Sequence, residues 1–294
     1  MKRVGSLILM LTLAVAVAIV LHLRGKVRAL RLSDGRVVSL GRMVEEVRPS
    51  RLIFVGEEHD RTESHAVQLE VIRRLHESGV DIAIGMEMFT AESQKELDRW
   101  VAGDVDLHDF IRLYYREWEM PWPLYRDILL YARDHRIPII GLNVPHEVSY
   151  KVAQYGFGAL TPAERKHLPT GVTCTVGPAY LKLIRRAFAE PEHKGADMSF
   201  TFFCEAQMLW NKSMGMRLKE YLTAHPHRKV VVLAGDGHAM RLGIPNEVSA
   251  GAPCSCSVIL PESLPLNRRT VTHEDADYLV LFDHLQRKGG QSPL

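Results

Sequence analysis

The sequence predicts an α/β fold: a mostly parallel sheet flanked by helices, with a helical excursion and an N-terminal membrane-anchor helix. The prediction depends on four short apolar runs rich in Val and Ile, at residues 51–59, 81–88, 137–143 and 229–238. Runs of this length are typical of strands that are buried on both faces, as in parallel sheets. Helical patterns separate the runs, and a strand–helix–strand order indicates right-handed βαβ units.

Each run ends in polar residues, and this repeated placement predicts a site. Ligands of open parallel sheets bind outside the carboxyl ends of the strands. One edge of the predicted sheet therefore carries Glu57, His59, Glu87, Asn143 and His238. Singly, each residue suits a structural role, such as capping a helix or pairing within the core. Together, two histidines and two glutamates at one edge favour a functional site.

The N-terminus predicts membrane attachment. Lys2 and Arg3 precede an apolar stretch from Val4 to Leu23, and about 20 apolar residues are enough to cross a bilayer. A cleaved secretory signal usually has a shorter apolar core, so we expect an uncleaved signal-anchor within residues 1–30. The basic residues after the stretch favour a cytoplasmic domain by the positive-inside rule, whereas the signal-like layout favours export.

Length and composition favour one globular domain. The chain has 294 residues, of which 46% are hydrophobic, and such a chain can bury a sizeable core. We expect a single domain over residues 31–285 and a disordered tail over residues 286–294. A net charge of +2 gives no basic field of the kind that binds nucleic acid.

The first connecting elements are a hairpin and a helix. Asp34-Gly35 lies between apolar-alternating residues, which is a hairpin signal. The first parallel strand leads into a helix that ends near Ser78, where Gly79 stops it. The predicted apolar face of this helix comprises Ala66, Leu69, Ile72 and Leu75.

The second half of the chain adds a peripheral stretch over 161–197 and a long helix over 199–225. Residues 257–260 and 278–282 are expected to add edge strands. An even number of cysteines would allow disulfides in an exported protein, but no chemistry is assigned to Cys174, Cys204, Cys254 or Cys256. Cys204 falls on the long helical pattern and is expected to be a buried free thiol.

An aromatic segment lies between residues 90 and 136, where the pattern is helical. The simpler interpretation is a bent helical hairpin that is packed by its aromatic residues. The functional interpretation is an aromatic wall over the strand ends, on which a flat apolar ligand could stack. The residues that would contact such a cofactor are Tyr114, Tyr115, Trp118, Trp122 and Tyr125.

The polar edge residues are sufficient for two kinds of chemistry. Histidine nitrogen and carboxylate oxygen could bind a divalent metal ion at His59, Glu87 and His238. Alternatively, a Glu–His pair could activate water without a metal ion. The sequence has no Gly-x-Ser-x-Gly nucleophile motif and no phosphate-binding loop.

Several motifs in matching order, from about Leu52 to Phe282, resemble the ChaN-like haem-binding uptake family of the Tiki superfamily. They are Gly56-Glu-Glu-His-Asp60, Gly85-Met-Glu-Met-Phe89, Gly141-Leu-Asn-Val-Pro145, Ala206-Gln-Met-Leu-Trp-Asn-Lys-Ser-Met214, and Ala234-Gly-Asp-Gly-His238 with Gly243-Ile-Pro245. The resemblance implies a mostly parallel α/β fold in an exported, membrane-anchored bacterial protein. Such proteins can form a dimer that holds haem at its interface through tyrosine. The candidate ligands here are Tyr114, Tyr115, Tyr125, Tyr150 and Tyr155.

Other members of the superfamily are hydrolases, including metal-dependent Tiki-type proteases and erythromycin esterases. The resemblance to them implies that the catalytic positions are Gly56, His59, Glu87 and His238, with Glu57 as a further acid. This chain departs from the family in two ways. It lacks a lipoprotein cysteine near the apolar stretch, and it has Asn211 where the family typically has Asp.

We therefore expect a membrane-anchored haem-binding protein of bacterial haem and iron uptake, in the cell envelope with an extracytoplasmic domain, that can form a homodimer. The alternative is a metal-dependent hydrolase that uses Glu57, His59, Glu87 and His238. A third interpretation is a degenerate member that is kept for protein interaction.

Overall fold

The computed structural model describes residues 27–189, 199–250 and 254–282. Most of the predicted anchor and the whole predicted tail over 286–294 lie outside the described residues. Among the helices of the described ranges, none is both long enough and apolar enough to cross a membrane.

The described residues form one eight-stranded sheet in the order β2-β1-β8-β7-β3-β6-β4-β5. Every neighbouring pair from β8 to β5 is parallel, and the pairs β1–β8 and β1–β2 are antiparallel. The α/β class is confirmed; the sheet is mixed, and the predicted mostly parallel arrangement holds for the five strand pairs from β8 to β5. The strands are β1 Arg28–Arg31, β2 Val37–Ser39, β3 Leu52–Glu57, β4 Ile82–Thr90, β5 Ile139–Asn143, β6 Lys229–Gly235, β7 Cys256–Pro261 and β8 Tyr278–Leu281.

The four apolar runs of the sequence are β3, β4, β5 and β6. They are neighbours in the sheet, in the order β3–β6–β4–β5, and they all run in the same direction. The carboxyl ends of these strands therefore meet at one edge, as the sequence predicts. The hairpin around Asp34 is also present, as β1 and β2.

The last two strands are inside the sheet, so their prediction as edge strands was wrong. β7 pairs with β3 on one side and with β8 on the other, and β8 pairs in turn with β1. The physical reason is their composition. Five of the six residues of β7 and all four of β8 are buried, and a strand of that kind is stabilised by neighbours on both sides. The N-terminal hairpin caps this end of the sheet instead.

Helices cover both faces of the sheet. One face packs against helices α1 to α5, which share a core with residues such as Val71, Trp100 and Phe110. The other face packs against the long helix α9 and its neighbours. The helices are α1 Leu40–Val47, α2 Thr62–Glu77, α3 Gln94–Ala102, α4 Leu107–Glu117, α5 Trp122–Asp134, α6 His146–Tyr155, α7 Pro162–Arg165, α8 Pro178–Phe188, α9 Phe200–Ala224, α10 Asp236–Ala239 and α11 Ile244–Ser249.

Helix α2 is rotated relative to the predicted apolar face. Ile72 and Leu75 are buried as expected, whereas Ala66 and Leu69 are only partly buried. The positions that face the sheet near the start of the helix are His65 and Gln68 instead. Both make hydrogen bonds there, and a buried polar side chain is stable only when it is bonded in this way.

A disulfide bond joins Cys174 to Cys204, so the prediction of a free thiol at Cys204 was wrong. Cys204 is buried on α9 as expected. Its partner comes from the stretch before α8, which the helical periodicity of α9 gives no means to identify. The bond closes a loop with a sequence separation of 30 residues. Cys254 and Cys256 are free.

Replacing both Cys174 and Cys204 with Ala should lower the free energy of unfolding by about 3–4 kcal/mol, because the unfolded chain regains the entropy of a loop of this length. Urea denaturation with and without dithiothreitol measures the change. The reductant should destabilise the wild-type protein and leave the double variant unchanged. A matched variant with Ser at Cys254 and Cys256 should lose stability with the reductant as the wild type does. If the reductant has no effect on that variant, the assignment of the disulfide is contradicted.

Candidate functional site

The candidate site lies where three adjacent strands end. Glu57 is the last residue of β3, Glu87 lies in the second half of β4, and His238 lies in α10, directly after β6. His59 follows Glu57 by two residues. The sheet order β3–β6–β4 brings these side chains to one edge, and the predicted convergence of the two glutamates and two histidines is observed.

The carboxylate of Glu57 is the centre of a hydrogen-bond network. Its Oε1 atom lies 2.7 Å from Nδ1 of His59 and also accepts a hydrogen bond from the Tyr125 hydroxyl. Its Oε2 atom accepts a bond of 2.7 Å from Nε2 of Gln68. His65 lies next to the same oxygen, with its Nδ1 atom 3.6 Å away. Donors from two helices and one loop therefore satisfy this buried acid.

This network sets the charges of Glu57 and His59. Burial alone would raise the pKa of Glu57, but the hydrogen bond and charge of His59 outweigh it, so the pKa is lowered. Burial would likewise lower the pKa of His59, but the bond to Glu57 and the nearby carboxylate of Glu87 raise it to about 9. At neutral pH the two residues are therefore an ion pair.

His238 has the opposite character. Its Nδ1 atom lies 2.7 Å from Oδ1 of Asn211, which can only accept, so Nδ1 carries the proton. Burial lowers the pKa of His238, and although Glu87 opposes this change, the positive His59 adds to it. The ring is therefore neutral, and its unprotonated Nε2 atom lies 3.7 Å from Oε1 of Glu87.

Further contacts orient Asn211 and Glu87. The amide of Asn211 donates to the hydroxyl of Tyr180, a buried residue of α8. Oε2 of Glu87 accepts a 2.7 Å bond from the backbone N–H of Gly235. Asn143, which the sequence placed at this edge, donates to the backbone carbonyl of Glu87 at 2.8 Å. Asn143 therefore supports the strand that carries Glu87.

A glycine separates the two Glu–His pairs. A Cβ atom at Gly235 would lie 3.0 Å from Cε1 and 3.1 Å from Nε2 of His59, and 3.7 Å from Oε2 of Glu87. His59 thus packs directly on the backbone that binds Glu87. Gly56 allows another close approach, because a Cβ atom there would lie 2.6 Å from Oδ1 of Asp236.

Asp236 is an acid at this edge that the sequence analysis did not select. Its Oδ1 atom is buried and has no hydrogen-bond partner among the described residues. Burial raises its pKa well above the ordinary value, and the nearby Glu58 and Glu57 add to the effect. Burial of this carboxyl group therefore favours its protonated form.

The predicted metal ligands do not meet the spacing of a preformed metal site. The donor atoms of His59, Glu87 and His238 are not all within 4.8 Å of one another. Within the described ranges, the group with that spacing is Asp106, His108 and Asp109, which is exposed at the start of α4. The main site therefore fits acid–base chemistry better than metal binding, and a metal role for it is not confirmed.

Most of the predicted aromatic wall lies inside the protein. Tyr114 and Tyr125 are fully buried, and Trp122 is 8% exposed. Helices α4 and α5 turn these rings into the core. Trp118 is half-buried, and its ring lies 5.1 Å from that of His59 in an edge-on arrangement. Tyr115 is exposed. The part of the wall that a ligand can reach therefore consists of Trp118 and Tyr115.

The site also contains residues that the sequence analysis missed. Tyr180 comes from the stretch that was expected to be peripheral, and His65 and Gln68 come from positions of α2 that were not assigned to its buried face. For the two α2 residues a signal existed, because they are three apart and therefore share one side of a helix. For Tyr180 no local pattern indicates the contact with Asn211.

The charges of the two histidines can be measured directly. In the wild-type protein, nuclear magnetic resonance titration should give a midpoint near pH 9 for His59 and one below 6.5 for His238. Since the pKa of His59 is raised on folding, the contribution of His59 to stability is complete below about pH 6.5 and is lost as the pH rises through about 9.

Glu57→Gln should lower the His59 midpoint toward 6.5, because it removes the charge that holds the proton.

The neighbouring acid supplies the control. Glu58 pairs with Arg61 instead of His59, so Glu58→Gln should leave the midpoint of His59 nearly unchanged. Equal shifts in both variants would contradict the specific pairing of Glu57 with His59.

Comparison with known proteins gives three findings. A profile of the family described as haem-binding uptake, Tiki superfamily, ChaN matches residues 43–248. The structure is similar to one described as cofacial haem binding to ChaN of Campylobacter jejuni, with a TM-score of 0.69 and 15% identity over 87% of this chain and 96% of that chain. No curated protein matches the chain.

Two other solved structures are more distantly similar. One is a mutant erythromycin esterase in its open conformation, with a TM-score of 0.49 and 14% identity over 87% of this chain and 82% of that chain. The other is the type III effector HopBA1, with a TM-score of 0.46 and 13% identity over 81% of this chain and 89% of that chain. The family profile covers well over half of the sequence. The chain therefore belongs to the ChaN family of haem-binding uptake proteins, within the Tiki superfamily.

Proposed function

We propose that this protein binds haem in bacterial haem and iron uptake. The observation that supports this best is a set of exposed tyrosines on two helices that adjoin the carboxyl edge of the sheet, in a chain of the haem-binding uptake family. Tyr115 is 51% exposed, Tyr150 59% and Tyr155 66%. A tyrosine oxygen can be an axial ligand of haem iron, and an exposed hydroxyl group can reach the iron without rearrangement of the core.

Each of the two helices that carry these tyrosines has one end at the carboxyl edge of the sheet. Glu117, the last residue of α4, accepts a 2.9 Å bond from the backbone N–H of Thr90, where β4 ends. Helix α6 begins at His146, three residues after the end of β5. Trp118 adds a half-buried aromatic surface beside His59, and haem needs such a surface for its flat face. Tyr114 and Tyr125 lie in the core, so they are weaker candidates for iron ligation.

We further propose that the protein resides in the bacterial cell envelope, with an extracytoplasmic domain that is anchored through residues 4–23. The disulfide bond supports this location, because disulfides persist in oxidising compartments. The apolar stretch from Val4 to Leu23 supports anchoring. Exposed tyrosines would also suit a haem that is held between two copies of the chain.

A haemin titration followed by absorbance tests the haem proposal. The wild-type protein should give a saturable shift of the Soret band, and a triple variant with Phe at Tyr115, Tyr150 and Tyr155 should bind haemin at least ~10-fold more weakly. Single Phe variants then assign the ligand. Tyr114→Phe is the control and should bind as the wild type does. Unchanged binding by the triple variant would contradict iron ligation by these residues.

A second candidate function is metal-free hydrolysis at the Glu57–His59 and Glu87–His238 pairs. The observation in its favour is the placement of the two Glu–His pairs on either side of Gly235, with the pKa of His59 raised and that of His238 lowered. Neutral His238 could accept a proton from water through Nε2 as the water attacks a carbonyl carbon. Protonated His59 could donate a hydrogen bond to the oxygen that becomes negative, and then a proton to the leaving group.

The two functions respond differently to the same substitutions. His59→Gln and His238→Gln should each lower any hydrolytic rate by about 100-fold or more, because each removes an acid or a base. Both variants should still bind haemin, since neither residue is among the exposed tyrosines. Ester and peptide hydrolysis assays beside the haemin titration measure both effects. Loss of haemin binding in His238→Gln would show that the buried site takes part in haem binding.

A further inference from the structure

The chain enters the described fold at the same edge of the sheet that carries the candidate site. Arg28, the first residue of β1, pairs with Leu281, the last residue of β8. Because β8 is parallel to β7, and β7 to β3, the last residue of β8 lies at the carboxyl edge. Val27 therefore lies at the edge where β3 delivers Glu57. This arrangement follows from the antiparallel pairing of β1 with its neighbour.

The apolar stretch ends close to this point. Leu23 is its last residue, and Val27 is four residues later. Four residues span at most about 14 Å in any conformation. If residues 4–23 are inserted in a bilayer, the carboxyl edge of the sheet is held within about that distance of the membrane. The amino edge has no such tether among the described residues.

A compact loop lies at the same edge. The backbone N–H of Glu262 donates to the carbonyl of Val280, and Val280 pairs with Ala29. The loop therefore begins two strands away from the point where the chain enters, which is about 10 Å. Its turn is held by a 2.7 Å bond from Ser263 N–H to the carbonyl of Leu266.

The loop presents an apolar tip with positive charge beside it. Leu264 is 87% exposed, the most exposed of the large hydrophobic residues in the described part of the chain. Arg268 and Arg269 follow on the same loop and are exposed, as is Arg28. Arg61 contacts the carbonyl of Glu262 at 2.9 Å, which joins the loop to the segment after β3.

We propose that the carboxyl edge of the sheet docks on an anionic lipid surface, with Leu264 inserted among the lipids and Arg28, Arg268 and Arg269 facing the headgroups. The proposal rests on the anchoring proposed above for residues 4–23. Removing an exposed leucine from water is favourable, and negatively charged lipid attracts basic residues near its surface. The candidate site then opens toward the bilayer rather than away from it.

Depth-dependent fluorescence quenching tests the proposal on the full chain. Cys254→Ser and Cys256→Ser remove the free thiols, and Leu264→Cys provides a site for an environment-sensitive dye. The labelled protein is reconstituted in vesicles of phosphatidylcholine and phosphatidylglycerol that contain a spin-labelled lipid. The matched control is His227→Cys, an exposed position two residues before β6 and therefore at the amino edge.

The expected result is a blue shift and strong quenching of the dye at position 264, with neither effect at position 227. Substituting Glu for both Arg268 and Arg269 should reduce the quenching at position 264. If the protein does not float with the vesicles, the anchoring fails and the docking proposal fails with it.

Flotation with equal quenching at both positions would overturn the docking and leave the anchoring intact. A blue shift at position 264 without lipid quenching would show that protein, such as a second copy of the chain, covers this loop. That result would also overturn the proposal.

Discussion

The buried carboxylate of Glu57 is the constraint on which the site depends. A charged acid inside a protein is stable only when donors replace the water that it has lost. Here the donors are His59 from the loop after β3, Gln68 from α2 and Tyr125 from α5. Each bond also fixes the position of the element that supplies it. The Glu57 carboxylate thus both positions α2 and α5 against the sheet and sets the charge of His59.

The second Glu–His pair shows how a different partner changes the same residue type. His59 bonds to a carboxylate that raises its pKa, whereas burial lowers the pKa of His238, whose Nδ1 atom bonds to the neutral amide of Asn211. An aspartate at position 211 would place a negative charge beside the ring and favour its protonated form. The neutral amide at position 211 therefore affects the proton balance of the site.

The sequence predicted the central part of this arrangement and missed its surroundings, for a physical reason. Apolar runs that end in Gly and polar residues identify β3, β4, β5 and β6, and parallel topology then brings Glu57, Glu87 and His238 together. The strand order around β7 and the bond between Cys174 and Cys204 depend on contacts between distant segments, which local periodicity does not record. Polar residues on the buried side of α2 were missed because burial was judged by hydrophobicity alone.

The disulfide bond has a consequence for the site that lies beyond stability. Cys174 precedes Tyr180 by six residues, and Cys204 precedes Asn211 by seven, or about two helical turns. The bond therefore ties together the two segments whose side chains meet behind His238. Formation of this bond thus holds the hydrogen-bond partner of a buried imidazole in place, which links the orientation of His238 to the redox state of the two cysteines.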